Sequence, residues 1–294
     1  MVTSRSLGMV AAGAATLAAA GIGYAWRESK RVELTETVIS IADLPPGLDG
    51  LRILHIADTH FPANGASLPR FLEAVASLDY DIVFATGDYA ESESGWPVVR
   101  EAFRRIDPKL GIYAVIGGHE RYAGVRSPLD LWPLAGRLWR RSPRRLVSPA
   151  PLIRDLESLG VHVLVNQSTT LEIGGEMVRL IGIDDAYLGL ANLEAALPPP
   201  ADTSVAGFSI LLSHSPDGVL QADGKAIPLA LSGHTHGGQI RLPGYGAPVR
   251  HAVSVDRLRP AGLVQIGETQ VYISRGFGTA GVPLRFACRP EVGV

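Results

Sequence analysis

A layered α/β fold is what the sequence predicts, and three observations predict it. Short apolar runs bounded by turn residues recur from residue 51 to residue 274 and read as buried strands. Two stretches with helical spacing fall between the first three of these runs, the β-α-β rhythm of a sheet covered by helices. The 294 residues are 46% hydrophobic and 19% charged, a balance that supports a sizeable core and excludes general disorder.

The elements follow in order. Leu7–Trp26 is twenty residues without a charge, and a helix of that length spans about 30 Å. Three readings stand for it. One is an uncleaved membrane anchor, with Tyr24 and Trp26 in an interfacial belt ahead of Arg27, Lys30 and Arg31. A second is a cleaved signal peptide, with Arg5 as its n-region and Ala18-Ala19-Ala20 as the small-residue cleavage site, which would leave a secreted protein. The third is a soluble Ala-rich helix. For an anchor, the basic residues after Trp26 favour the cytoplasmic face by a margin that leaves the periplasmic face open. Beyond it, Leu51–Ala57, Asp81–Thr86 and Gly111–Gly117 read as strands, with helices at Ser67–Leu78 and Trp96–Ile106. Later strands are expected at Val161–Val165, Thr169–Ile173, Met177–Ile183, Phe208–Ser213, Leu229–Ser232, Leu263–Ile266 and Gln270–Ser274. Their connections are shorter, which implies that part of the sheet is antiparallel. Pro198–Pro200 reads as a local linker, and no internal repeat is visible.

The charge is unevenly spread. The whole chain carries −2, while residues 1–31 carry +3 and residues 121–154 carry +7, leaving −12 for the remainder. An acidic body of this kind argues against nucleic acid as a partner. The single cysteine, Cys288, excludes an intrachain disulfide and any Cys-based zinc cluster, so a bound metal must use His and carboxylate.

The polar residues share a phase with the strands. Asp58 and His60 follow the first run, Asp88 the second, and His119 and Glu120 the third. His214 follows Phe208–Ser213, and His234 and His236 follow Leu229–Ser232. Five of the eight histidines therefore lie at the carboxyl ends of strands, where loops converge in an open α/β sheet. Asp and His together suit Mn, Fe or Zn. The i, i+2 spacings of Asp58/His60 and His234/His236 can aim paired side chains at one ion, and Asp88 can bridge two cations about 3.5–4 Å apart. Gly237-Gly238 allows a tight turn and close approach to a ligand.

In this order the residues resemble the calcineurin-like metallophosphoesterases. The family pattern D-x-H, G-D, G-N-H-[D/E], H, G-H-x-H is met by Asp58/His60, Gly87-Asp88, Gly117-Gly118-His119-Glu120, His214 and Gly233-His234-Thr235-His236. The likeness runs from about residue 38 to 294, dividing the chain into an N-terminal segment, 1–31, and a metallophosphoesterase domain, 38–294. Leu51-Arg52-Ile53, Gly182-Ile183-Asp184-Asp185, Ser232–Gln239 and Ser274–Gly278 make it most similar to the membrane-associated bacterial branch. That branch includes a cell-wall phosphoesterase and a UDP-2,3-diacylglucosamine pyrophosphohydrolase of lipid A synthesis. The resemblance implies a four-layer α-β-β-α sandwich with a dinuclear site on one edge. It assigns one divalent ion to Asp58, His60, Asp88 and His236, and the second to Asp88, His214 and His234. A bridging water is then the nucleophile. His119 is the general acid or a stabiliser of the pentacoordinate state, with Glu120 orienting its ring. The implied activity is hydrolysis of a phosphodiester or pyrophosphate bond, in a phosphorylated small molecule or a lipid-linked substrate such as UDP-2,3-diacylglucosamine.

One position departs from the pattern. Gly118 stands where the family has an Asn whose amide oxygen ligates the second metal. The expectation is a looser second ion, one that Gly118→Asn would tighten. The alternative is a degenerate, non-catalytic member that binds a phospho-ligand or cell-envelope partner. Residues 126–148 form a basic insert in which Trp132, Trp139, Leu129, Leu131, Leu134 and Leu138 lie among six arginines. It reads as a solvated excursion or as a dock for an anionic membrane surface. Among the other residues, His55 and His162 read as structural, and Cys288 as a small buried apolar group. Arg275 reads as either a phosphate contact or a structural ion pair.

Overall fold

Alternation along each strand gives it two apolar faces, so each sheet must be covered on both sides. The computed structural model describes residues 4–122, 146–197, 207–249, 252 and 254–294. The basic insert from 126 to 145, Pro198–Pro200 and His251 lie outside the described residues. The strands are β1 (Glu33–Thr35), β2 (Ile53–Ile56), β3 (Ile82–Ala85), β4 (Ile112–Ala114), β5 (Val161–Val163), β6 (Gln167–Ile173), β7 (Glu176–Gly182), β8 (Phe208–Ser213), β9 (Leu229–Ser232), β10 (Gly262–Ile266), β11 (Thr269–Ile273) and β12 (Glu291–Gly293). The helices are α1 (Ser4–Glu28), α2 (Leu68–Ala76), α3 (Trp96–Arg104), α4 (Ala150–Glu157) and α5 (Leu193–Ala196).

Two mixed sheets result, ordered β1-β12-β2-β3-β4-β5 and β10-β11-β9-β8-β7-β6. In the first, β2 to β5 run parallel, and β12 is antiparallel to β2. In the second, β7, β8, β9 and β11 run parallel, with antiparallel β6 and β10 at the edges. The sheets pack face to face. Ile82 and Phe84 of β3 meet Ile210 and Leu212 of β8 and Leu229 and Leu231 of β9 in the central core. The alternate residues of β3, Val83 and Ala85, face outward into the core beneath α2, α3 and α4. Phe71, Ala74 and Val75 of α2 and Val99, Ala102 and Phe103 of α3 are the buried stripes, at the i, i+3, i+4 spacing of a one-sided helix. On the far side, α5 and the turn at Pro216–Ala222 cover Leu211, Ala230 and Val271. This is the expected four-layer α-β-β-α sandwich, and the parallel strands β2, β3 and β4 of one sheet and β8 and β9 of the other deliver their carboxyl ends to loops that meet on one edge.

The expected strands and the helices at 67–78 and 96–106 all form, within a few residues of their expected ends. Strands β1 and β12 are additions to that expectation. They are three residues each, too short to show a period, and exist because β12 pairs with β2 and β1 with β12. The first sheet therefore begins at Glu33, ahead of residue 38. No helix among the described residues is long and apolar enough to cross a membrane. Helix α1 is long, but Ala and Gly dilute its apolar character. Its last turn docks on the C-terminal segment, where Tyr24 packs edge-on against Phe286 at 5.5 Å and Ala25 and Glu28 are buried.

Candidate metal centre

The loops after β2, β3, β4, β8 and β9 bring all eight expected residues to one buried place. Asp58, His60, Asp88, His119, Glu120, His214 and His236 are each buried, and His234 is partly so. Three clusters share ligand atoms within 4.8 Å of one another: Asp58, His60 and His236; His60, Asp88 and His119; and Asp88, His214 and His234.

Local backbone geometry aims these groups. Asp58, His60, Asp88, His234 and His236 have φ of 47°, 42°, 54°, 67° and 51°, half of the ten left-handed non-glycine residues among those described. Such conformations cost about 1–3 kcal/mol each and persist only where the surroundings enforce them. Two glycines permit the crowding. A Cβ on Gly117 would lie 2.4 Å from Asp88 Oδ1, and one on Gly233 would lie 2.5 Å from Asp58 Oδ2.

The donor atoms converge. His60 Nε2 lies 3.1 Å from His236 Nε2 and 3.7 Å from Asp88 Oδ2. His236 Nε2 lies 3.6 Å from Asp58 Oδ1. On the other side, His214 Nε2 lies 3.4 Å from Asp88 Oδ2 and 3.1 Å from His234 Nδ1. Two donors bound to one ion at about 2.1 Å stand about 3.0 Å apart at a right angle and about 4.2 Å apart when opposite, so these separations fit shared ions. His214 Nδ1 donates to the Thr86 carbonyl at 2.8 Å, which turns Nε2 towards the cluster, the orientation usual for a metal-binding imidazole. Asp58 is steadied by the His234 backbone N–H, 3.1 and 2.9 Å from its two oxygens.

The electrostatics are those of a site that wants cations. Burial pushes the Asp58 carboxyl up to about 7, helped by Asp88. Burial pushes Glu120 up to about 8, again with Asp88 adding to it. Burial alone would raise Asp88 too, but His214, His119 and His60 hold it well below the usual carboxylate range. His214 is the complement: burial would lower it, yet Asp88, Asp58 and Asp185 hold it well above the ordinary imidazole range.

His119 and Glu120 sit on the turn Gly118–Arg121 after β4. The His119 ring packs edge-on against His60 at 4.5 Å, and its Nε2 lies 3.9 Å from Asp88 Oδ2. Its backbone N–H donates to Asp88 Oδ1 at 2.8 Å. The Glu120 carboxylate accepts from the backbone N–H groups of Gly117, Asp88 and Tyr89 at 2.8–2.9 Å. It staples the β3 loop to the β4 loop, and so acts on His119 through the turn they share.

One residue carries no signal in the sequence. Arg285 is fully buried and donates to the carbonyls of Arg275, Gly276, Gly278 and His236 at 2.6–3.1 Å. No motif marks it, because its partners are backbone carbonyls, three from the nearby 275–278 loop and one from His236, 49 residues away. Arg275 is a structural ion pair, with Glu291 at 2.5 Å and Glu33 at 2.9 Å. His55 is buried in β2, bonded to Thr86 Oγ1 at 2.9 Å, and burial lowers its pKa to about 3. His162 stacks on Tyr113, and Cys288 is a buried free thiol.

Comparison with known proteins identifies the family. The chain is 30% identical over 295 residues to the metallophosphoesterase YkuE of Bacillus subtilis (strain 168), covering 98% of this chain and 93% of that one. It is 29% identical over 247 residues to the phosphodiesterase YaeI of Escherichia coli (strain K12), covering 82% of this chain and 80% of that one. It is 30% identical over 295 residues to the transmembrane protein with metallophosphoesterase domain of Danio rerio, covering 95% of this chain and 59% of that one. Residues 51–238, which hold every cluster named above, match the calcineurin-like phosphoesterase family. The chain belongs to that family and is a phosphoric ester hydrolase of the metallophosphoesterase kind.

Proposed function

We propose that this hydrolase cleaves a phosphodiester or pyrophosphate bond at a pair of divalent ions, Mn, Fe or Zn. In this reading Asp58, His60, Asp88 and His236 hold one ion, and Asp88, His214 and His234 hold the other. The observation that carries it is Asp88, whose buried Oδ2 stands between imidazoles from both sheets, 3.7 Å from His60 and 3.4 Å from His214. When bound, such a pair supplies an attacking oxygen at neutral pH and offsets the charge of the phosphate.

The chain's own groups do the rest. His119 faces the same space as Asp88 Oδ2, from which it can give a proton to the leaving oxygen. Asp88 fixes the backbone of His119, and Glu120 fixes the turn beneath it. The name phosphodiesterase for the similar Escherichia coli protein supports a diester or pyrophosphate over a monoester. A lipid-linked substrate such as UDP-2,3-diacylglucosamine, met at a membrane surface, is supported by the basic insert of the sequence. It is supported too by the exposed Leu17, Ile22, Tyr24 and Trp26 of α1, which precede Lys30 and Arg31. Gly118 favours a second reading, phospho-ligand binding without turnover.

One assay separates the two. The full chain with Mn²⁺ should hydrolyse bis(p-nitrophenyl) phosphate, and a panel including UDP-2,3-diacylglucosamine should show the preferred bond. Asp88→Asn should lower turnover at least about 100-fold, the upper end of what groups that only support metal ligands contribute. Absence of hydrolysis across the panel by metal-loaded wild type would favour binding without turnover.

A further inference from the structure

The family's missing Asn leaves the second ion short of one oxygen in the two-ion reading, and the structure holds a buried carboxylate oxygen near Gly118. Asp185 follows the carboxyl end of β7, the neighbour of β8 in the second sheet, and so shares the phase of the other candidate ligands. Its side chain is fully buried. Oδ1 accepts the Leu188 N–H at 2.6 Å, but Oδ2 has no hydrogen-bond partner among the described residues. A buried carboxylate oxygen without a hydrogen bond is costly unless a nearby cation or proton compensates it.

Oδ2 is aimed at the metal centre. It lies 4.0 Å from His214 Nε2, within the span of two donors on one ion. It also lies 3.7 Å from the point where a Cβ on Gly118 would stand. An Asn side-chain oxygen reaches about 2.4 Å from its Cβ, so a residue-118 amide and the Asp185 carboxylate would compete for one volume. The Asp185 loop is pinned to the Gly118 turn itself: Arg121, which ends that turn, makes a two-pronged ion pair with Asp184, one prong at 3.0 Å. Asp184 Oδ1 in turn accepts the Asp185 N–H at 2.7 Å.

We propose that Asp185 is a ligand of the second metal ion and supplies the oxygen that Gly118 cannot. A carboxylate replaces an amide, so the second site carries more negative charge than the family pattern gives it. This rests on the two-ion reading above and extends it by one ligand.

The test is metal binding, independent of turnover. The full chain is stripped with chelator, reloaded with Mn²⁺ and followed by calorimetry and elemental analysis. Wild type should take up two ions. Asp185→Asn keeps size and the Leu188 contact and should weaken one ion at least about tenfold, leaving the other unchanged. Gly118→Asn alone, with Asp185 present, should bring no gain in affinity, because the position is filled. The same substitution in the Asp185→Asn background should restore binding. Wild-type affinity for both ions in Asp185→Asn, or a tighter second ion in Gly118→Asn alone, overturns the assignment while sparing the two-ion reading. Uptake of fewer than two ions by wild type overturns both. The Gly118→Asn result decides the question even if Asp185→Asn does not fold.

Discussion

Arg285 shows what one residue does for this site. Its guanidinium has no carboxylate in contact among the described residues and satisfies carbonyls of the 275–278 loop and of His236, tying them together. Burial lowers its pKa, yet an arginine keeps its charge in a protein. Arg285→Met fills similar volume and leaves those carbonyls without their donor. A loss of about 3 kcal/mol or more is expected in denaturant unfolding, from buried groups that cost about 1–3 kcal/mol each when unpaired. The motif residues, by contrast, are legible in the sequence itself. Asp and His chemistry is particular, and Asp58, His60, Asp88, His119, His214, His234 and His236 do meet. Glu120 is legible as a member of the site, but not as a staple for three backbone amides, since nothing in its sequence neighbourhood specifies Asp88 and Tyr89 as partners.

Among the elements, α1 has a docking contact that reaches the site. The Arg285 N–H donates to the Ala25 carbonyl at 3.0 Å, and the Cys288 N–H donates to Glu28 Oε1 at 2.7 Å. Cys288 Sγ in turn lies 3.2 Å from the His236 carbonyl, so the last turn of α1 braces the loop that carries a candidate ligand. Glu28→Ala removes the acceptor from a buried N–H. It should cost about 1–3 kcal/mol, read as a lower urea midpoint with unchanged slope. A null effect on the midpoint would mean that α1 docks without that bond. The central strands β3, β8 and β9 are visible as apolar runs because burial on both faces leaves no polar alternation to obscure them. Edge strands β1 and β12 are not, since three residues carry no period.

For the molecule as a whole, the gathered carboxylates make stability depend on pH and metal together. Asp58 and Glu120 titrate higher in the folded metal-free protein than their ordinary 3.8 and 4.5, at about 7 and about 8. The folded state therefore binds more protons than the unfolded state between those values. Their contribution is fully present below pH about 4 and is lost as pH rises through about 7–8. The Tm of chelator-treated protein should fall across that window, and the gain in Tm on adding Mn²⁺ should grow with pH, because the ion replaces the protons. A metal-induced gain that is constant from pH about 5 to about 8 would contradict this linkage. The sequence by itself determined the α/β class, the strand order of the motifs and the chemical identity of the cluster, since apolar period and residue type are local properties. The tertiary structure decided which candidate ligands stand together, that the buried Asp185 Oδ2 faces His214 beside the Gly118 turn, and that Arg285 and α1 brace the His236 loop. Those are relations between segments far apart in the chain, and only the packing of one sheet on the other fixes the distances between them.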